Sequence, residues 1–158
     1  MTNKKVKNAQ QCICDNIKFR SRLEMYCYKY FKDKEINLQY EPCTIVLLEG
    51  FVSNIQVYSP TRSKKLKLKT AKIRPITYTP DFMFKTKNTC VFIETKGCPN
   101  DAYPLKKKLF LKTLNNLAHK NNKTYWFFEP HNQKQVQEMY EIIKNNINQI
   151  NNETDEHI

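Results

Sequence analysis

The chain reads as an α/β domain, a mixed central β-sheet flanked by α-helices. Three observations predict this. Strict alternation from Val91 to Lys96 has the two-residue period of a strand. Around residues 19–32, 103–119 and 133–145, apolar residues recur three and four apart, the period of an amphipathic helix. A helical stretch also stands between a predicted hairpin and the aromatic run from Thr124 to Phe128. That crossover calls for parallel as well as antiparallel neighbours in the sheet, with helices on its faces.

Composition bounds the rest. A length of 158 residues suits one domain with a single core. Hydrophobic residues at 40% and aromatics at 12% exclude a disordered chain. The expected organisation is a basic lead-in over residues 1–16, the folded domain over 17–146 and a polar tail over 147–158. No apolar run is long enough to cross a bilayer. The amino terminus is charged with no apolar stretch behind it, so no signal peptide is expected. The formal net charge of +12 points to a polyanionic partner, nucleic acid more often than a membrane surface. Lysines that merely keep the protein soluble are the plainer reading. Six scattered cysteines read as reduced thiols, and Cys12 and Cys14 lack a downstream Cys/His pair at zinc spacing. With two glycines in the chain, a Gly-rich phosphate loop or dinucleotide fingerprint is excluded. None of His119, His131 and His157 has a partner that suggests nucleophilic catalysis.

Taken in order, the first helix is predicted over Phe19–Lys32, with Leu23, Tyr26, Cys27, Tyr30 and Phe31 on its apolar face. Ser21 and Glu24 have the spacing of a capping box, in which Glu24 bonds backbone at the helix end. Thr44 to Leu48 fits a short buried strand, and Gly50 marks the bend after it. In the polar stretch from Phe51 to Arg74, Lys65, Lys67 and Lys69 alternate with Leu66 and Leu68. That is a strand with one lysine face and one leucine face. It reads either as an edge that blocks unwanted pairing or as a ribbon tracking phosphates, together with Lys72 and Arg74.

The hairpin follows, from Tyr78 to Gly97. Phe82, Met83 and Phe84 form its first strand, residues 85–88 its turn, and Val91 to Lys96 its second strand. On a two-residue period Glu94 and Lys96 share one face. The antiparallel return brings Asp81, just after Pro80, beside them. Two carboxylates and a lysine at one sheet edge are what a hard divalent cation and an attacking water need. The plainer reading is a surface ion-pair ladder, and such pairs contribute only about 0–1 kcal/mol. The next helix is predicted over Tyr103–His119. Pro104 sits in its first turn, Leu105, Leu109, Leu111, Leu114, Leu117 and Ala118 are its buried side, and Asn121-Asn122 breaks it. Of its lysines, Lys107 and Lys108 are candidates for phosphate. The run from Thr124 to Phe128 reads as a buried strand, with Trp126 in the core rather than stacking on a base. A last helix spans about Gln133–Asn145.

Pro80-Asp81, twelve further residues, then Glu94-Thr95-Lys96 resembles the PD-(D/E)XK motif of nucleases with the restriction-endonuclease-like fold. Within that superfamily the chain is similar to the phage endonuclease I group, the Holliday-junction-resolving enzymes. It is also similar to a less characterised set of phage PD-(D/E)XK proteins. The likeness covers roughly Phe19 to Phe110 and includes the acidic helix segment from Ser21 to Glu41. The segment from about Phe51 to Arg74 is longer than its counterpart in endonuclease I.

The resemblance implies a metal-dependent DNA endonuclease working on branched or nicked duplex, as a homodimer, away from membranes, in the cytoplasm of a phage-infected or bacterial cell. By that correspondence Asp81, Glu94 and the Thr95 carbonyl hold Mg²⁺, with Mn²⁺ as a substitute. Lys96 is the catalytic lysine, a cation rather than a base. Glu24 is a third acid that completes a second metal position. A restriction-type, nicking or transposon-end-cleaving enzyme of the same fold, or a binding module that no longer cuts, are the alternatives.

Overall fold

The computed structural model describes residues 11–69, 72–97 and 102–155. The chain opens with a small hairpin of β1 (Cys12–Cys14) and β2 (Ile17–Phe19). It falls largely within the expected lead-in, whose residues 1–10 lie outside those described. Asp15 and Asn16 turn it, with φ of 50° and 62°. Positive φ at both central residues is what a tight two-residue hairpin needs.

Helix α1 (Arg22–Lys32) begins at an N-cap, Ser21, and buries Glu24, Cys27, Tyr28 and Phe31. Strand β3 (Gln39–Tyr40) follows. The chain then runs out and back along three successive antiparallel pairs. The outward strands are β4 (Ile45–Leu48), β5 (Phe51–Val52) and β6 (Val57–Pro60). The return strands are β7 (Leu66–Lys69), β8 (Lys72–Ile73) and β9 (Ile76–Tyr78). They pair β6 with β7, β5 with β8 and β4 with β9, in the manner of one long arm. At its base Ile45, Leu47 and Tyr78 join a core cluster, so β4 is half-buried rather than the buried strand expected. At Gly50 the returning side of the arm passes close by. A Cβ there would lie 2.9 Å from the Ile73 carbonyl oxygen and 3.0 Å from Pro75.

Strand β10 (Phe82–Lys85) and strand β11 (Thr89–Ile93) form the central hairpin. Helix α2 (Tyr103–Asn121) crosses over to β12 (Thr124–Phe128), which lies parallel to β11, and α3 (Gln133–Asp155) closes the described chain. The sheet order is β12-β11-β10-β3, mixed in direction as expected. Helix α3 runs into the stretch read as a polar tail.

Alternation splits the hairpin's side chains between two cores. Phe82, Phe84, Val91 and Ile93 pack with Phe19, with Cys27 and Phe31 of α1, and with Val136, Met139 and Ile143 of α3. Met83, Cys90 and Phe92 pack on the other side with Tyr103, Phe110 and Leu114 of α2. Both faces of β10 and β11 are covered, which accounts for their continuous apolar sequence. On α2 the centre of packing is Phe110, fully buried and in contact with the rings of Tyr78, Phe92 and Phe127. Leu105 and Leu111, expected inside, are exposed. Strand β12 is half-buried at the sheet edge, and Trp126 packs on the core as expected. Cys14, Cys27, Cys43 and Cys90 form no disulfide.

Candidate active site at the end of the central hairpin

Register builds the site. Phe82 pairs with Ile93, so the residues one step beyond, Asp81 and Glu94, meet at the mouth of the hairpin. Strand β11 ends at Ile93, shorter than expected, but the extended path continues. The Glu94 N–H donates to the Phe128 carbonyl at 2.9 Å, and the Lys96 N–H to the Pro130 carbonyl at 3.0 Å. This edge pairing keeps Glu94 and Lys96 on a common face, and the Lys96 ammonium is ion-paired with Glu94 Oε1 at 2.5 Å. The Thr95 N–H and hydroxyl both donate to Asp81 Oδ2, at 2.7 and 2.8 Å. Asp81, Glu94 and Thr95 are all buried.

Burial sets the electrostatics. Desolvation, then the like charges of Glu94 and Glu24, push the Asp81 carboxyl up to about 7, against the two Thr95 donors that favour its ionised form. Glu94 Oε2 and the Tyr78 hydroxyl are both buried, and neither makes a hydrogen bond of good geometry. The two are neighbours all the same: the Tyr78 pKa is driven up by burial, then by the charge of Glu94 and by hydrogen-bonding contact with it. A buried carboxylate oxygen without a well-formed hydrogen bond is costly, on the order of 1–3 kcal/mol or more. A group that supplies positive charge at this point would remove the cost.

The three acids divide. Glu24 lies near enough for its charge to act on Asp81, yet both its oxygens are engaged. The Ser21 hydroxyl donates to Oε1 at 2.8 Å. The Arg20 N–H and the Tyr40 hydroxyl donate to Oε2, at 2.9 and 2.7 Å. The Glu24 N–H donates in turn to Ser21 Oγ at 3.1 Å, which is one half of a capping box; on its return side Glu24 takes the N–H of Arg20, one residue before the cap. Among the described residues no three acidic, histidine or cysteine side chains gather as a metal cage. Asp81 and Glu94 are two buried carboxylates that could serve a hard cation taking few protein ligands and keeping several waters. The Glu94 oxygen without a well-formed hydrogen bond supports that fit.

Several partners were not readable from the chain. The Lys96 ammonium lies 4.3 Å from the ring centroid of Tyr103, the first residue of α2, so it is held between a carboxylate and an aromatic face. The Tyr103 hydroxyl donates to Glu129 Oε2 at 2.7 Å. Lys107, expected on phosphate, is ion-paired with the same Glu129 oxygen and lies over the Phe127 ring. Lys108 is exposed. Lys65, Lys67, Lys69, Lys72 and Arg74 stand exposed on the arm rather than among the acids. The neighbours of Asp81 and Glu94 in sequence hinted at Tyr78, whereas Tyr103 and Glu129 reach the site only through the crossover.

The model of a family described as a protein of unknown function, DUF1064, matches residues 4–135. The chain belongs to that family. No curated protein and no solved structure matches it significantly. Among the described residues no helix is long and apolar enough to cross a membrane.

Proposed function

We propose that this protein is a metal-dependent DNA endonuclease of the restriction-endonuclease-like class, hydrolysing phosphodiester bonds in branched DNA and acting as a homodimer. The observation that carries the reading is the meeting of Asp81, Glu94, Thr95 and Lys96 at one buried hairpin end, with one Glu94 oxygen left without a well-formed hydrogen bond. A surface ion-pair ladder would leave these groups solvated and would not need to bury two carboxylates together.

Asp81, Glu94 and the Thr95 carbonyl would hold Mg²⁺. When bound, the cation supplies positive charge against the negative charge that develops on the phosphate. Thr95 fixes the Asp81 carboxylate by two hydrogen bonds to Oδ2, and Oδ1 would face the ion. Lys96 presents a fixed ammonium, set between Glu94 and the Tyr103 ring. From there it orients the attacking water by hydrogen bonding, or donates to a phosphate oxygen as phosphorus becomes five-coordinate. Glu24 acts at one remove. It holds the start of α1 and the Tyr40 end of β3, the strand beside β10, and its charge bears on Asp81. Lys65, Lys67, Lys69, Lys72 and Arg74 supply counter-charge for the DNA backbone, with Lys108 on the body.

The test is plasmid nicking with Mg²⁺, with EDTA, and with Lys96→Ala. Cutting that needs the metal and the lysine supports the proposal; tight DNA binding with no cutting under any condition leaves a binding module. A four-way junction against a matched linear duplex then tests branch selectivity. Equal cutting of both removes the junction-resolving reading and leaves a general nuclease.

A further inference from the structure

The outer arm has two unlike faces. Residues directly opposite in an antiparallel pair share a face. In the β6–β7 pair, Val57 stands opposite Lys69 and Ser59 opposite Lys67, which makes one lysine-bearing face. Tyr58 stands opposite Leu68 and Pro60 opposite Leu66, which makes the other face wholly apolar or aromatic. That apolar face is uncovered: Tyr58, Leu66 and Leu68 are 57%, 68% and 58% exposed. The Pro60–Leu66 pair is the last rung before the turn, which is closed by a Thr61 N–H to Lys65 carbonyl bond and carries Arg62, Lys64 and Lys65. Between residues 45 and 78 there are seven basic side chains and one acid, half of the chain's formal net charge of +12.

Charge decides what the apolar face meets. Two such arms packed by their apolar faces would turn their lysine faces outward yet still bring two strongly basic segments, each with seven basic side chains and one acid, side by side, whereas a polyanion complements them. A lysine face and an apolar face on one ribbon do not suit unbroken duplex, which offers phosphate along its outside and few open apolar surfaces. They suit a place where bases are unstacked on one side of the ribbon and phosphates lie on the other. Apolar side chains such as Leu and Pro wedge against base steps in many DNA-bending proteins, and aromatic side chains stack on open bases.

We propose that the Tyr58, Pro60, Leu66 and Leu68 face of the arm seats unstacked bases at a DNA branch point, while Lys67 and Lys69 hold phosphate on the opposite side. This rests on the nucleic-acid reading of the protein and adds the element that tells branched from linear DNA. Tyr58, Leu66 and Leu68 are solvent-exposed, so their replacement leaves the two cores intact.

The experiment uses the full chain in EDTA and a four-way junction of synthetic strands carrying 2-aminopurine at the branch, with a matched linear duplex as control. Wild type binds the junction more tightly and changes its 2-aminopurine fluorescence. The double variant Leu66→Ser, Leu68→Ser and the single variant Tyr58→Ser lose about tenfold or more in junction affinity and lose the fluorescence change, with linear-duplex affinity kept within about twofold. Lys67→Ala with Lys69→Ala weakens both substrates alike and flattens the salt dependence. Unchanged junction preference in the apolar-face variants overturns the inference. So does a shift from dimer to monomer in sedimentation velocity with junction preference intact, which would assign the face to a second copy of the chain. Absence of any DNA binding by wild type overturns the nucleic-acid reading itself, a different result from loss of preference alone.

Discussion

Replacing Asp81 by Asn should stabilise the metal-free protein at about pH 8 and leave it nearly unchanged at about pH 3.5, below the ordinary carboxylate pKa. Asp81 is 9% exposed, and its carboxyl is pushed from 3.8 to about 7 by burial and by Glu94 and Glu24. Between about pH 4 and pH 7 the folded protein therefore keeps a proton that the unfolded chain has released. Stability falls as pH rises through that window. A displacement of about three pH units corresponds to a ceiling of roughly 4 kcal/mol at pH 8. Relaxation and water penetration around a buried charge take up part of that ceiling, so about 2 kcal/mol is the expected gain from the neutral amide. The Asn carbonyl oxygen can still accept from the Thr95 N–H and hydroxyl, so the local bonds survive the change. For a domain of this size about 2 kcal/mol is a rise in Tm of about 4–8 °C. Thermal melts in EDTA at the two pH values measure it. Parallel pH dependences for wild type and variant would refute the reasoning, because they would mean that Asp81 ionises in the fold as freely as in the unfolded chain.

Other consequences are open to measurement. Mn²⁺ at about a hundred times its Kd should stabilise wild type by about 2.7 kcal/mol at pH 8 and should leave Asp81→Asn almost unmoved, as melts with and without the metal would show. Lys96→Ala should lower the nicking rate by about 10²-fold or more and also cost stability, because the buried Glu94 loses its ion-pair partner; added metal should restore the Tm and not the cutting. Ser21→Ala should cost about 1 kcal/mol in denaturant unfolding by removing the cap of α1, and Glu24→Gln should cost less than Glu24→Ala because the amide still accepts from the backbone and Tyr40. Phe110→Ala should cost about 3–5 kcal/mol, the highest of these substitutions, since the ring is fully buried among three other rings.

The central hairpin was legible because its signal is local. Alternation and a short turn fix the register of β10 against β11, and register alone brings Asp81 to Glu94. The crossover through α2 was legible for a similar reason, since Pro104 marks its start and Asn122, with φ of 48°, its end. The β1–β2 hairpin has a weaker local signal: Asp15-Asn16 is a tight-turn pair, but strands of three residues give little period to count. The sidedness of the arm was visible as alternating lysine and leucine. Its exposure on both faces was not, because nothing local tells an uncovered leucine face from a core one. Phe110 and Tyr103 belong to the same class. Their positions depend on how α2 lies across the sheet, which brings together residues far apart in the chain. Glu24 had two readings at the outset, and spacing could not choose between them. The structure gives Glu24 one of the capping bonds and also places its charge where it acts on Asp81.

Tyr103 joins three segments through one phenol. Its ring lies under the Lys96 ammonium and its hydroxyl is tied to Glu129, just past the parallel edge strand. The helix that returns the chain to the sheet is thus also the clamp on the cation. Any slippage of that helix along the sheet drags the ammonium with it, so connectivity and reactivity are locked to a single side chain.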